Sequence, residues 1–375
     1  MSRGVWWVVT VLFALVVLAP QAMAQRPPET HPTSEHRDIV MSWDRSAMPG
    51  DIELWAPRTV LGYETSSTRY GALHLTCRSS TDAAQGRCPT VGNALDTGRG
   101  AVTIRATEKR SGLVEEIQLL GFLARVMPGR ACSGDFWGQA ELPPWSSSSA
   151  ECGQEWPIGT GAHLELPSSE LERLVAGTWE AVAFLDLHEA VNGPVLATYS
   201  FKFDFTITDH NAVSIYFPLF DQVTPHVGLN LQYDPIAQTV SGSTKVDMCL
   251  YDGLGSQSQY LGITVRDSGA RLPGPSGYSV WHTDGGSDAT QRVDYTVTLD
   301  HSGTAIPLRN GVEQLLHGID TAKLRLVMLP GMTQPVFCVP TPITLDTPRV
   351  SVSTKRPGHY SGDLKVELRV PTATP

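Results

Sequence analysis

Six cysteines are the residues of this chain whose type and spacing best indicate a chemistry, namely disulfide formation. They are Cys77, Cys88, Cys132, Cys152, Cys249 and Cys338. The pairs that this spacing favours are Cys77 with Cys88, Cys132 with Cys152, and Cys249 with Cys338. Free or zinc-bound thiols are the alternative. Zinc is disfavoured because the sequence has neither a Cys-x-x-Cys pair nor a pair of histidines near the cysteines.

Other reactive side chains do not form a known catalytic pattern. The sequence lacks the HExxH, GxSxG, P-loop and GxGxxG motifs. Residues 284–288 (DGGSD) resemble part of a calcium loop, but the downstream glutamate is missing, so a hairpin turn is favoured. His188 and Glu189 lie near Asp186 and suggest acid–base chemistry, although a solvated strand end is the simpler interpretation. We predict no enzymatic activity, no metal site and no cofactor.

A tryptophan-containing loop is the best candidate for a binding surface. Residues 133–161 hold Trp137, Trp145 and Trp156 among serines, prolines and glycines, and the loop is clamped by Cys132 and Cys152. Exposed indole rings suit stacking on sugar rings or docking into another protein. We favour the alternative that the rings pack back onto the protein, and we keep all three as receptor-binding candidates.

The N-terminus has the pattern of an export signal over residues 1–24. Arg3 gives it a positive start, residues 5–18 are apolar, and small residues precede a predicted cleavage site between Ala24 and Gln25. A membrane span is the alternative, but the apolar run is short and Pro20 interrupts its end. Export places the cysteines in an oxidising compartment.

The charge of the chain argues against binding to nucleic acid. Cleavage would remove Arg3 and take the formal net charge from −10 to −11, and the sequence contains no basic block.

The elements that position these residues are predicted to be β-strands. One run alternates apolar Tyr199, Phe201, Phe203, Phe205 and Ile207 with polar residues. The same period of two recurs at 229–231, 293–299, 350–352 and 364–370, and Gly, Pro, Ser and Asp clusters separate the runs. Helical patterns are confined to residues 168–174, with a serine cap, and 311–316. The predicted fold class is all-β.

Two domains are predicted because residues 25–375 exceed one ordinary domain. The polar segment 208–211 separates an aromatic strand from the next apolar run, so the boundary is placed between residues 208 and 209. This division leaves Cys249 and Cys338 alone in the second domain. Residues 25–37 are predicted to be loosely held.

Several short segments, in this order, resemble one protein family. They are residues 102–111 (VTIRATEKRS), 246–253 (VDMCLYDG), 335–340 (PVFCVP), 358–362 (GHYSG) and the strand at 364–370. The loop between Cys77 and Cys88 has a similar counterpart. The resemblance is to the CblD-like pilus initiators, the minor tip subunits and adhesins of the class 5 chaperone-usher fimbriae, which include the colonisation-factor tip adhesins.

The resemblance implies two immunoglobulin-like β-sandwiches in tandem: an adhesin-like domain at 25–208 and a pilin domain at 209–375. The pilin sandwich would lack its last strand. A periplasmic chaperone would cover that edge, and at the outer-membrane usher the major pilin would donate the missing strand. The chain would be exported through the periplasm to the fimbrial tip at the cell surface. Pro27, Pro28 and Pro32 argue against a donor strand in residues 25–37.

The resemblance also implies a receptor site built from arginines, from which this sequence departs. The position of the first arginine is held by Ala72, with Arg69 nearby, and the later pair is replaced by His188 and Glu189 followed by Ala190. These residues cannot bind an acidic sugar through paired guanidinium groups. Arg69, His188 and Glu189 are therefore receptor-binding candidates, and the identity of the surface receptor, whether a glycan or another molecule, is not transferred.

Three other functions stay open on the sequence. One is an initiator without a receptor of its own. Another is an exported two-domain carbohydrate-binding protein that is not incorporated in a pilus. An exported hydrolase is the least favoured.

Overall fold

The computed structural model describes residues 26–130, 132, 134–149, 155–220 and 224–371. The predicted cleavage site at Ala24 and Gln25 lies outside these residues, as does Cys152. Among the described residues, no helix has the length and apolar character that crossing a membrane requires.

The first half of the chain forms one eight-stranded sheet. Its strands follow the order β1-β8-β7-β4-β5-β6-β2, and β3 pairs with β7. The strand bounds are β1 (Glu35–Asp44), β2 (Ile52–Tyr63), β3 (His74–Thr76), β4 (Gly100–Glu108), β5 (Val114–Val126), β6 (Gly159–Leu166), β7 (Gly177–His188) and β8 (Val195–Thr208). A single helical turn, α1 (Ser168–Leu171), precedes β7.

This sheet folds over into two layers around one core. Trp55 of β2 packs edge-on against Tyr199 and Phe201 of β8, with ring centroids 5.0 and 5.2 Å apart. These strands lie far apart in the hydrogen-bonded order, so the contact requires the sheet to bend back on itself. The predicted alternation of β8 is confirmed, because its apolar residues from 199 to 207 are all buried.

The second half forms three smaller sheets. Their strand orders are β10-β11-β20-β15-β14-β21 with β16 beside β15, then β18-β19-β12-β9, and β17-β13-β22. The strand bounds are β9 (Ser214–Tyr216), β10 (Gln232–Asp234), β11 (Thr239–Val246), β12 (Cys249–Tyr251), β13 (Tyr260–Asp267), β14 (Tyr278–His282), β15 (Arg292–His301), β16 (Thr304–Leu308), β17 (Glu313–His317), β18 (Arg325–Val327), β19 (Val336–Pro340), β20 (Ile343–Ser351), β21 (Tyr360–Ser361) and β22 (Leu364–Arg369). Short 3-10 turns occur at Ala83–Gln85, His210–Ala212, Ala289–Gln291 and Val352–Thr354.

All three sheets contribute side chains to a common core. Ile263 of β13, Val297 of β15 and Val339 of β19 belong to the same buried cluster. The two halves together therefore form a tandem arrangement of β-sandwich-like domains, as predicted.

Three local predictions are wrong. Residues 311–316 form no helix, because β17 pairs antiparallel with β13 over this stretch. The turn α1 has no side-chain cap, since Pro167 occupies the cap position. Residues 229–231 are not a strand, and β10 begins only at residue 232. The strand at residues 313–317 depends on a distant partner that a local pattern does not reveal, whereas Pro167 stands directly before the predicted serine cap in the sequence.

The N-terminal segment is held more firmly than predicted. Thr30 exchanges backbone hydrogen bonds with Tyr63, at 2.9 and 2.8 Å, and the Oγ1 of Thr65 donates to Glu29 at 2.6 Å. From Glu35 onward the chain runs parallel to β8.

Candidate functional site: an open sheet edge and an exposed pole

Within the described ranges, strand β22 has a hydrogen-bonded neighbour on one side only. It pairs antiparallel with β13 from residue 364 to residue 369. Among the described residues, no strand pairs with its other edge. An unpaired edge presents backbone N–H and C=O groups that can accept a further strand.

The apolar side chains of β22 are incompletely covered. Leu364, Val366 and Leu368 are half-buried, whereas Leu261 and Ile263 of the neighbouring β13 are fully buried. Both strands pack against one core, but among the described residues β22 lacks a strand on its second side that would cover these side chains further. An added strand with alternating apolar residues would supply this cover.

The segment that follows β9 also leaves apolar residues in partial contact with solvent. Phe217, Phe220 and Leu229 pack at the border of the second core and stay half-buried, while Leu219 is 75% exposed. A cavity of about 290 Å³ lies beside this segment, lined in part by Met332. The described part of residues 217–231 contains no strand. Apolar side chains are thus present here without a completed sheet.

Two disulfides are present in the pairs that the spacing favours. Cys77 is bonded to Cys88, and Cys249 of β12 is bonded to Cys338 of β19. Cys132 is also in a disulfide. The second bond is fully buried and belongs to the core that the first half shares with β12 and β19.

The predicted receptor candidates at the end of β7 lie together at one pole of the first half. Arg69 Nε donates to Glu189 Oε2 at 2.8 Å, and its guanidinium carbon lies 5.3 Å from the ring centroid of Tyr70. His188 is held by Gly193, with its Nδ1 2.9 Å from the carbonyl oxygen. Because Arg69 is already paired with a carboxylate, it offers no uncompensated positive charge to an acidic ligand.

Behind these residues the ring of His188 stacks on His74, at 5.7 Å between centroids. Burial lowers the pKa of His74 and so disfavours the charged form of the inner ring. Val91, Leu95 and Val191 are exposed large apolar residues in the neighbouring loops. The pole therefore combines a neutralised ion pair with exposed apolar side chains. Sequence reasoning identified its polar residues and missed its apolar ones.

The three candidate tryptophans have different environments. Trp137 is only 6% exposed and packs with Val126 and Ile158. Trp145 is half-buried and donates from Nε1 to Asp96 Oδ2 at 2.7 Å. Trp156 is 66% exposed. Of the three, only Trp156 presents most of its ring for a receptor.

The segment 102–111, selected for its family resemblance, joins the two halves. The carboxylate of Glu108 is buried and accepts hydrogen bonds from the backbone N–H of Thr178 at 3.1 Å and from Gln257 Nε2 at 2.8 Å. Arg110 donates to the carbonyl oxygens of Ile319 and Ala322. The sequence identified this motif but not its role, because its partners lie far along the chain.

The acidic loop at residues 284–288 connects β14 and β15. Asp288 accepts a hydrogen bond from the N–H of Thr290, and Asp284 is paired with Arg356 at 2.6 Å. Within the described ranges no group of His, Cys, Asp and Glu side chains is arranged to hold a metal ion.

Comparisons with known proteins agree with this architecture. The family models for the first and second domains of CfaE, a subunit of CFA/I fimbriae, match residues 20–210 and 213–372. The CFA/I fimbrial protein of this family from Escherichia coli is 28% identical over 315 residues, which cover 81% of this chain and 82% of that protein.

Solved structures share the fold. The crystal structure of CfaE, the adhesive subunit of CFA/I fimbria of enterotoxigenic Escherichia coli, superposes with a TM-score of 0.69 at 24% identity, and covers 92% of this chain and 95% of that one. A structure of a chaperone-tip adhesin complex of CFA/I fimbriae superposes with a TM-score of 0.67 at 24% identity, over 93% and 99% of the two chains. The chain belongs to the CfaE family of CFA/I fimbrial proteins, within the tip subunits of class 5 chaperone-usher fimbriae.

Proposed function

We propose that this chain is a minor subunit at the tip of a fimbria, that it starts assembly by accepting a strand from the next pilin, and that it adheres to a surface receptor. The observation that carries the proposal is the edge of β22, which is unpaired among the described residues and lined by half-buried apolar side chains. A donated strand would satisfy its backbone groups and cover those side chains.

The tip position follows from the pairing of the first strand. A subunit within a fibre needs a free strand to donate, but residues 35–44 are already paired with β8. Pro27, Pro28 and Pro32 would also interrupt a donated ladder. A chain that accepts a strand while its own first strand is occupied suits the end of a fibre.

The proposed partners are the proteins that would cover the open edge of β22. An open edge is prone to aggregation, so we propose that a periplasmic chaperone covers it and that the major pilin replaces the chaperone at an outer-membrane usher. Residues 1–24 would direct export, and residues 25–208 and 209–375 would be the adhesin-like and pilin domains. The break between β8, which ends at Thr208, and β9, which begins at Ser214, supports this division.

For adhesion we propose the exposed pole of the first half. Arg69, His188 and Glu189 lie there, and Trp156 is the exposed tryptophan. The departure from an arginine cluster supports a receptor different from the acidic sugars that such a cluster would bind.

Strand acceptance can be tested by supplying the missing strand in cis. A short glycine-serine linker and a strand with alternating apolar residues are appended after residue 375, and the control extension carries aspartate at the apolar positions. We expect the apolar extension alone to raise the melting temperature and to abolish incorporation into fibres. Equal melting temperatures for the two extended chains would contradict the proposal.

Adhesion is tested separately on cells that assemble fibres. Arg69→Ala and Trp156→Ala should reduce attachment while the number of fibres stays constant. Attachment that does not depend on this chain would identify an initiator without a receptor. A chain that is stable without the added strand and absent from fibres would instead be an exported carbohydrate-binding protein.

A further inference from the structure

An irregularity in β2 turns Arg58 out of the sheet. Between Trp55 and Thr59, β2 advances by four residues while its partner β6 advances by two, from Leu164 to Ala162. Arg58 has φ +68°, in the left-handed region that residues with a Cβ seldom adopt. Bulges often redirect side chains beside functional sites, and such strained backbone is concentrated there.

The redirected side chain forms one wall of a cleft. Arg58 Nη2 lies 2.9 Å from Asp135 Oδ2, and its guanidinium carbon lies 5.5 Å from the ring centroid of Trp137. The cleft has a volume of about 440 Å³ and is also lined by Phe122 and Gln139. This volume lies within the range of sites for small molecules.

The two carboxylates that line the cleft, those of Asp135 and Glu141, are each paired with an arginine. Arg99 donates to both carboxylate oxygens of Glu141, at 2.8 and 3.0 Å, and these bonds lower the pKa of Glu141. With the Arg58 and Asp135 pair, donors and acceptors stand side by side with no net charge. Phe122, half-buried on the outer face of β5, adds an apolar surface. Sugar hydroxyl groups both donate and accept, and the ring carbons provide an apolar face, so this lining suits a neutral sugar better than an acidic one.

We propose that this cleft binds a neutral hexose unit of a glycan. The role of that glycan as the receptor of a tip subunit rests on the proposed adhesive function. Binding of the sugar by the cleft does not depend on that function. The site is built from different residues than the pole around Arg69. Sugar binding also explains why position 58 holds arginine, although glycine would remove the backbone strain there.

The test is a titration of the full mature chain with methyl galactoside, methyl glucoside and N-acetylneuraminic acid. Binding is followed by saturation-transfer NMR and by tryptophan fluorescence. Arg58→Gly removes the guanidinium and keeps the left-handed backbone favourable, and Phe122→Ala removes the apolar surface. Arg78→Ala is the matched control, because Arg78 is also paired with a carboxylate, that of Asp186, and lies over an aromatic ring, that of Phe184.

We expect saturable binding of a neutral hexoside that weakens by about tenfold or more in Arg58→Gly and in Phe122→Ala, and that is unchanged in Arg78→Ala. The melting temperature of Arg58→Gly should stay equal or rise, and Phe122→Ala decides the outcome if Arg58→Gly does not fold. Absence of hexose binding, preference for N-acetylneuraminic acid, or undiminished binding by the folded cleft variants would overturn the proposal.

Attachment of fibre-bearing cells separates this inference from the proposed function. If cells attach but no hexose binds, the proposed hexose site is wrong and the proposed adhesive function is retained. If hexose binds but fibre-bearing cells do not attach, the proposed adhesive function is wrong and the proposed hexose site is retained.

Discussion

Glu108 and Gln257 form a hydrogen bond of 2.8 Å between the carboxylate of one half of the chain and the side-chain amide of the other. Thr178 extends the contact, since its Oγ1 donates to Gln257 Oε1 at 2.8 Å. Glu108 is 2% exposed. Buried acceptors are costly to leave without donors, so this network fixes how the end of β4 meets the second half.

Gln257→Ala should lower the free energy of unfolding by about 1 to 2 kcal/mol, because it removes both hydrogen bonds from the network. Urea denaturation of the full chain measures the change. The control is Gln259→Ala, since Gln259 is exposed and the hydrogen bond that its backbone carbonyl accepts from Gly318 is kept in the variant. Equal stabilities for the two variants would show that the network contributes nothing.

Replacing the buried Arg125 should be strongly destabilising. Its guanidinium donates to the carbonyl oxygens of Leu73 and Ser146 and to Thr160 Oγ1, each at 2.7 Å. Arg125→Met leaves buried acceptors without these donors, so we expect a loss of about 3 kcal/mol or more.

The control for this substitution is Arg105→Met, at a surface arginine paired with Asp82 at 2.8 Å. Such pairs contribute about 0 to 1 kcal/mol. Thermal unfolding compares the two variants, and similar melting temperatures would mean that the buried contacts of Arg125 are unimportant.

The segment between the two halves should become less stable in acid. Burial opposes ionisation of Asp44, but hydrogen bonds from Ser46, Thr208 and the N–H of His210 outweigh it and lower its pKa. A lowered folded-state pKa contributes stability that is complete above the ordinary value of about 3.9 and is lost as the pH falls through the folded-state value.

Asp44→Asn should therefore lose less stability than the wild type between about pH 5 and about pH 3, a range that starts above that ordinary value and ends below it. Urea denaturation across this range measures the difference. An unchanged pH profile in the variant would refute the role of Asp44.

The two disulfides should contribute unequally. Cys249–Cys338 spans 89 residues and Cys77–Cys88 spans 11. On the chain-entropy description, these loops correspond to about 4.6 and about 2.8 kcal/mol. We expect Cys249→Ser to reduce the yield of exported protein more than Cys77→Ser. Comparable yields would go against this ranking.

Local patterns in the sequence determined much of this protein. The alternation in β8 and in β22 predicted strands, because a half-buried strand repeats every two residues whatever its partner. The spacing of the cysteines likewise favoured the bonds between Cys77 and Cys88 and between Cys249 and Cys338. The family resemblance rested on such short segments and on their order.

Only the tertiary structure decided which of these residues are covered. Trp137 and Trp156 occupy one predicted loop, yet one is buried and the other exposed. Glu108 meets Gln257 across 149 positions of sequence. Strand β22 has an open side because it pairs with β13 alone among the described strands. Residues 313–317, predicted as part of a helix, form a strand because they pair with β13. A local period in the sequence predicts which face of a strand is apolar, but the segment that pairs with the strand or covers that face is set by distant parts of the chain.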